Sequence, residues 1–186
     1  AKISYILITM ALTATLFFGF LYLAPDSYRT QRIMSFIDPN QNVLSANYQL
    51  NQALIAIGSG NIFGVGYGES TTKIRYLPEP IGDSIFAVIA EELGFVGGIA
   101  LILSFLILIT RIFILAKRSR DHFAQLLLVG FGSLIGIQVF VNMGSISGLI
   151  PLTGAPLPFI SYGGTALAVF MTISGIIVNI TKHEKN

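Results

Sequence analysis

Residues 84–120 read SIFAVIAEELGFVGGIALILSFLILITRIFILAKRSR. From Leu93 to Thr110 the stretch carries no formal charge, and it closes on Arg111, Lys117, Arg118 and Arg120. A helix needs roughly 20 apolar residues to cross about 30 Å of hydrocarbon. The segment therefore reads as a transmembrane helix, at about 84–116, that ends in a basic loop. At 1.5 Å per residue such a helix is about 50 Å long, which exceeds the hydrocarbon core. Its first two turns, with Glu91 and Glu92, are then expected at the outer interface, solvated there, or in a protein-lined cavity. A carboxylate at mid-membrane would cost at least about 2.5 kcal/mol.

Three further spans follow by the same criterion, at about 3–24, 122–143 and 165–181. Phe123 to Thr181 contains no formal charge, and Gln138 and Asn142 are the main polar members of the third span. Composition agrees: 53% of residues are hydrophobic and 11% charged, against about 25% charged in soluble domains. Mean hydropathy is +0.75. The fold class expected is an all-α polytopic membrane protein with about four transmembrane helices, residues 1–186 forming one membrane domain fragment. Cys and Trp are absent, which excludes a disulfide framework, a zinc–thiolate site and a thiol nucleophile. A formal charge of +2 gives no reason to expect a nucleic-acid partner. The chain opens on Ala1, carries no signal-peptide pattern and reads as a piece of a longer chain.

Basic residues orient the spans. Lys2 precedes the first, Arg111, Lys117, Arg118 and Arg120 lie between the second and third, and Lys182 and Lys185 follow the fourth. With four spans all of these fall on one side, which is expected to be cytoplasmic, with the C-terminus. The loops at 25–83 and 144–164 then face outward.

The first outer loop breaks into pieces. Pro25, Asp26 and Ser27 read as a turn. YRTQRIMSFIDP, residues 28–39, is expected along the membrane surface. NYQLNQALIAIG, residues 47–58, reads as a short interfacial or re-entrant helix, with Leu50, Ala53, Leu54 and Ile57 on one face and Asn51 and Gln52 elsewhere. GSGNIFGVGYG, residues 58–68, is too weak for a nucleotide fingerprint, which needs a preceding strand. It reads as a loop of flexible backbone. KIRYLPEPIGDS, residues 73–84, pairs Lys73 and Arg75 with Glu79 and Asp83. Asp83 stands just before the long helix, where Asp is a favoured N-cap and complements the helix dipole. The second outer loop, GSISGLIPLTGAPLPFISYGG at 144–164, holds three prolines and cannot be one straight helix. It is expected to be a re-entrant Gly/Pro-rich loop packed on the first. Ser161 and Tyr162 offer hydroxyls there.

Four segments carry a resemblance: YRTQRIMSFIDP, NYQLNQALIAIGSGNIFGVGYGES, KIRYLPEPIGDSIFAVIAEELGFVGG and GLIPLTGAPLPFISYGGT. In this order and spacing the chain resembles the C-terminal part of the FtsW/RodA/SpoVE family, the SEDS proteins. The PEPIGDSIF form is closer to FtsW than to RodA. The resemblance implies spans seven to ten of a ten-span peptidoglycan glycosyltransferase in the bacterial cytoplasmic membrane. Such an enzyme polymerises lipid II at the outer face, beside a class B penicillin-binding protein and other division or elongation proteins. It also implies that Asp83 matches the family's essential aspartate, and that this portion alone is inactive.

The chemistry expected joins a sugar 4-hydroxyl to an anomeric carbon whose leaving group is a lipid diphosphate. A positioned carboxylate can take the hydroxyl proton in the transition state, contributing about 10²–10⁴-fold, and Asp83 is the candidate. The resemblance implies an α donor and a β product, which fits one displacement with inversion. A covalent intermediate would require a second carboxylate, for which Glu79 is the neighbour in sequence. Lys73 and Arg75, or a divalent cation (Mg²⁺ or Mn²⁺) held by Asp83, would meet the diphosphate charge. Gln52, Glu79, Ser161 and Tyr162 complete the expected substrate-binding set. Two competing readings are a lipid II flippase and a non-catalytic divisome scaffold. Transporters carry charges within spans, and the near absence of such charges here favours surface chemistry.

Overall fold

The computed structural model describes residues 44–70 and 81–184, with isolated positions at 8, 11–13, 15, 19, 32, 33 and 36. The chain divides into two compact units, Ala1–Asn47 and Tyr48–Asn186. In the first unit the described positions of the expected first span are helical, and Ile8 and Leu12 are exposed. Thr15 Oγ1 donates back to the Ala11 carbonyl at 2.8 Å, as hydroxyls do inside apolar helices. The limits of that span, and most of residues 28–39, lie outside the described residues.

Four helices follow: α1 (Leu44–Ser59), α2 (Ile85–Arg118), α3 (His122–Ile146) and α4 (Gly164–Glu184). No strand occurs among the described residues. By length and composition α2, α3 and the Gly164–Lys182 part of α4 can each cross a membrane. Their exposed positions are mostly apolar, including Phe95, Ile107, Leu126, Ile137 and Phe140. That surface suits lipid as solvent. The protein is an all-helical, multi-pass membrane protein.

The central unit is the antiparallel pair α2–α3. Three residues join the two helices, a length that leaves antiparallel helices as neighbours. Asp121 caps α3, its Oδ1 accepting from the Phe123 N–H at 3.1 Å. On α3 a buried stripe runs through Ala124, Leu128, Gly132, Ile135, Val139, Asn142 and Ile146, a helical 4-4-3-4-3-4 spacing, and Met143, Gly144 and Ser145 are buried beside its end. On α2 the matching part of the helix buries Phe105, Ile112 and Ala116. Gly132 lets the helices approach closely, because a Cβ there would meet Ile112 Cγ2 at 3.1 Å.

α1 corrects the expected face. Its buried side is Gln49, Ala53 and Ala56, continued by Gly60, while Leu54 is exposed. Small residues let the backbone of α1 and its following turn sit against α2. A Cβ on Gly60 would collide with the Ala90 carbonyl.

α2 is not one straight rod. At Gly94 the backbone takes φ 68°, ψ −165°, a region open essentially to glycine alone. The break splits a segment at 85–93, the outer one by the expected orientation, from one that runs about 36 Å from Phe95 to Arg118, enough to cross the hydrocarbon alone. A broken helix strands carbonyls and N–H groups, and in a membrane protein these must be satisfied internally. Residues 61–66 satisfy them. Val65 N–H donates to the Glu91 carbonyl at 3.0 Å and Gly66 N–H to the Glu92 carbonyl at 3.1 Å. Phe95 N–H donates to the Asn61 carbonyl at 2.9 Å and Val96 N–H to the Ile62 carbonyl at 3.2 Å. Each replaces a bond that an intact helix would have made between residues 91 and 95 or 92 and 96. Residues 60–66 are thus a docked insert, not the flexible loop their glycines suggest. Gly64, at φ 82°, is where the two backbones touch: a Cβ there would overlap the Glu92 carbonyl.

Glu91 and Glu92 are correspondingly buried, Glu91 at 2% exposure, which corrects the expectation of interfacial solvation. Ser70 Oγ donates to Glu91 Oε2 at 2.5 Å. The segment after the insert has carried a hydroxyl to the carboxylate that the helix buries.

Candidate functional site

The docked insert fixes where the outer end of α2 lies, and Asp83 stands at that end. The N-cap of α2 is Ser84, not Asp83, and the Ser84 side chain makes no capping bond. Asp83 therefore sits in the turn at 81–84, half-buried, its carboxylate not used by the helix. α1 supplies its partner. Gln49 Nε2 donates to Asp83 Oδ1 at 3.3 Å and to Ser84 Oγ at 3.1 Å. Ser84 Oγ in turn lies 3.5 Å from the same Oδ1. Both contacts converge on Oδ1, and Oδ2 accepts no hydrogen bond among the described residues.

The backbone of the turn is held from a third direction. Asn142 of α3, fully buried, donates to the Asp83 carbonyl at 2.8 Å and to the Ala155 carbonyl at 2.7 Å. One amide thus ties the turn before α2 to the loop after α3. Tyr162 N–H donates to the Ile81 carbonyl at 2.8 Å. Gln138, one helical turn from Asn142, donates to the Pro156 carbonyl at 3.0 Å. These two polar residues of the largely apolar α3 are the fasteners of the second outer loop. Irregular backbone near a membrane requires such partners.

The expected site residues separate accordingly. Asp83 is at the centre of this network. Tyr162 is adjacent through its backbone, with its side chain 83% exposed. Ser161 is buried, and its Oγ accepts from the Leu157 N–H at 2.7 Å, closing a turn within its own loop. Gln52 is half-buried on α1, and it is Gln49, one turn earlier, that reaches Asp83. Lys73, Arg75 and Glu79 lie outside the described residues. Gln49 was not singled out by sequence reasoning. The available signal was its position four residues before Ala53, on the small-residue side of α1. Among the described residues no group of three or more His, Cys, Asp or Glu side chains is placed to hold a metal ion. Asp83 offers one open carboxylate oxygen. That suits Mg²⁺ in the mode where one carboxylate and substrate phosphates share it.

Chemically the arrangement is a carboxylate with one oxygen fixed by neutral donors and the other open. It lies at a helix N-terminus, whose dipole favours negative charge. It can accept a proton from a hydroxyl or face a cation bound to a phosphate.

Comparison with known proteins gives this geometry a context. The FtsW/RodA/SpoVE family model, described as "Cell cycle protein", matches residues 1–186. The chain is 41% identical over 169 residues to stage V sporulation protein E of Bacillus subtilis, covering 91% of the chain and 46% of that protein. It is 39% identical over 185 residues to the probable peptidoglycan glycosyltransferase FtsW of a Geobacter species, covering 99% and 50%. It is 42% identical over 159 residues to the peptidoglycan glycosyltransferase MrdB of Escherichia coli, covering 85% and 43%. The chain thus spans about half the length of the curated relatives it matches. One similar solved structure is that of a peptidoglycan synthase complex that coordinates polymerization and crosslinking, with TM-score 0.72, 26% identity, and 97% of this chain and 49% of that chain covered. A second is the crystal structure of a mutant of the Thermus thermophilus rod shape determining protein RodA, with TM-score 0.55, 30% identity, and 95% and 57% covered.

Proposed function

The chain belongs to the FtsW/RodA/SpoVE family, and on that premise we propose that the whole protein polymerises lipid II at the outer face of the bacterial cytoplasmic membrane. The observation that carries the reading is the Asp83 carboxylate, with Oδ1 held by Gln49 and Ser84 and Oδ2 open. Oδ2 takes the proton of the attacking sugar 4-hydroxyl as the bond to the anomeric carbon forms. The lipid diphosphate leaves from the opposite face, with inversion. Lys73 and Arg75 meet its charge. Asp83 would alternatively hold a divalent cation, Mg²⁺ or Mn²⁺, which would supply charge neutralisation for the diphosphate. Asn142 and Tyr162 keep the Asp83 turn against the second outer loop, so that acceptor and donor meet a fixed surface.

The partners that follow are lipid II, the growing lipid-linked glycan and a class B penicillin-binding protein. The similarity to a synthase complex that couples polymerization with crosslinking supports the last of these. The PEPIGDSIF form supports a role in division. The C-terminus faces the cytoplasm by the distribution of basic residues.

A second reading, transport of the lipid-linked precursor, would draw on the buried ionisable pair Glu91 and Glu92, which lies beyond the part of α2 that crosses the hydrocarbon. The test reconstitutes the full-length protein with its penicillin-binding partner and fluorescent lipid II. Asp83→Asn and Asp83→Ala are expected to lose polymerisation, by at least the roughly 10²-fold typical of a general base, while lipid II binding persists. Polymerisation retained in Asp83→Asn would remove the base assignment. Flipping without polymerisation in the wild type would replace the polymerase with the transporter.

A further inference from the structure

Gln49 contributes a second, unassigned element to the same site. It is 7% exposed, on the buried side of α1, and its amide has two N–H groups. One reaches Asp83 Oδ1 and the other Ser84 Oγ. A buried amide that shares its helix face with Ala53 and Ala56 is an unusual choice for packing alone. Both of its N–H groups are spent on the two residues at the tip of α2. We propose that Gln49 is a positioning residue: it fixes the rotamer of Asp83 through Oδ1 so that Oδ2 alone faces the reacting hydroxyl. This rests on the polymerase reading of Asp83.

The geometry around it supports the assignment. A carboxylate has two equivalent oxygens, and a side chain with two free torsions would present either. Donors on one oxygen only remove that degeneracy. Two contacts to the turn go to backbone, from Asn142 to the Asp83 carbonyl and from Tyr162 to the Ile81 carbonyl. Those set the position of the Cα. Among the described residues only Gln49 and Ser84 set the carboxylate. Gln49 itself is placed by the docked insert, since α1 runs directly into Gly60 and the residues that pair across the Gly94 break. The distance between Gln49 and Asp83 is therefore fixed at the far end of the outer segment as well as at the near one.

The test uses the full-length protein with its partner in vesicles and measures initial rates against lipid II concentration. Gln49→Met keeps the side-chain length and removes both donors. Gln49→Glu keeps the shape and replaces both N–H donors with carboxylate oxygens that repel Asp83. Both are expected to lower kcat by about 10- to 100-fold, since a misplacement of about 1 Å at a reacting group can cost on the order of 10²-fold. KM and lipid II binding are expected to stay within about twofold of wild type, because uniform binding is untouched. Ile55→Met, on the exposed side of α1, is the control and should keep the wild-type rate. A raised KM at unchanged kcat would overturn the proposal, making Gln49 a substrate contact. Wild-type kcat in Gln49→Glu would also overturn it, even if Gln49→Met failed to assemble, because the donor would be dispensable. A wild-type protein that binds lipid II and never polymerises it would instead remove the polymerase reading, leaving the contact between Gln49 and Asp83 without that role.

Discussion

Asn142 shows what a single polar side chain does inside an apolar helix. Its Nδ2 satisfies two carbonyls from different loops, and its own Oδ1 is buried with no hydrogen-bond partner among the described residues. Leaving a buried polar group unpaired costs about 1–3 kcal/mol, so the two carbonyls together outweigh the orphaned oxygen. Asn142→Ala would strand both. We expect a clear drop in the melting temperature of the purified protein, corresponding to roughly 1–3 kcal/mol for each stranded carbonyl, and loss of activity even with Asp83 intact. Asn142→Asp should be worse than Asn142→Ala, because it turns carboxylate oxygens toward two carbonyl oxygens. Asp83 was legible in the sequence because an acid just before a long apolar helix invites a reason. Gln49 was not, because its partner is 34 positions away and no local pattern marks a residue whose use is long-range. Ser161 shows a local use that the sequence does not mark: its hydroxyl oxygen accepts from the Leu157 N–H and closes a turn within the Gly/Pro-rich loop.

Among the described residues α2, α3 and α4 begin and end within three residues of the apolar runs that mark them, since such runs bounded by charge leave little choice of element. What hydropathy could not show is the break in α2. Gly94 is one of several glycines in ELGFVGG, and nothing local distinguishes it from Gly97 or Gly98. The distinction is tertiary: the φ of 68° at Gly94 brings it against Gly64, whereas a Cβ at Gly98 would meet nothing within 4 Å. Gly94→Ala is expected to destabilise strongly. The backbone conformation alone costs on the order of 1–3 kcal/mol, and the new methyl would overlap the Gly64 backbone. Gly98→Ala should be neutral or slightly stabilising, as alanine is the better helix former by up to about 1 kcal/mol. Thermal melting of the two variants side by side checks the contrast. Tertiary cover also explains why solvation of Glu91 and Glu92 was expected and burial found. The length of the helix pointed to the outer interface, but residues 60–70 cover that end.

For the whole molecule, the basic residues predict a direction that can be read chemically. The sequence contains no cysteine, so single thiols can be introduced without a background from this part of the protein. Thr72→Cys should react with an impermeant maleimide in intact spheroplasts, and Lys185→Cys only after permeabilisation. The reverse pattern would invert the orientation. The chain spans about half the length of its relatives, and the exposed apolar faces of α2 to α4 are where lipid or further helices would lie. The docked insert adds a statement about connectivity. Four main-chain hydrogen bonds, the Ser70–Glu91 contact and the Gln49–Asp83 contact all join residues before position 71 to residues after position 80. The peptide bonds of the intervening decapeptide are therefore not what holds α1 to the tip of α2. This pairing resembles the association of two subunits, and a chain cut between the two partners would keep these six contacts to hold them together.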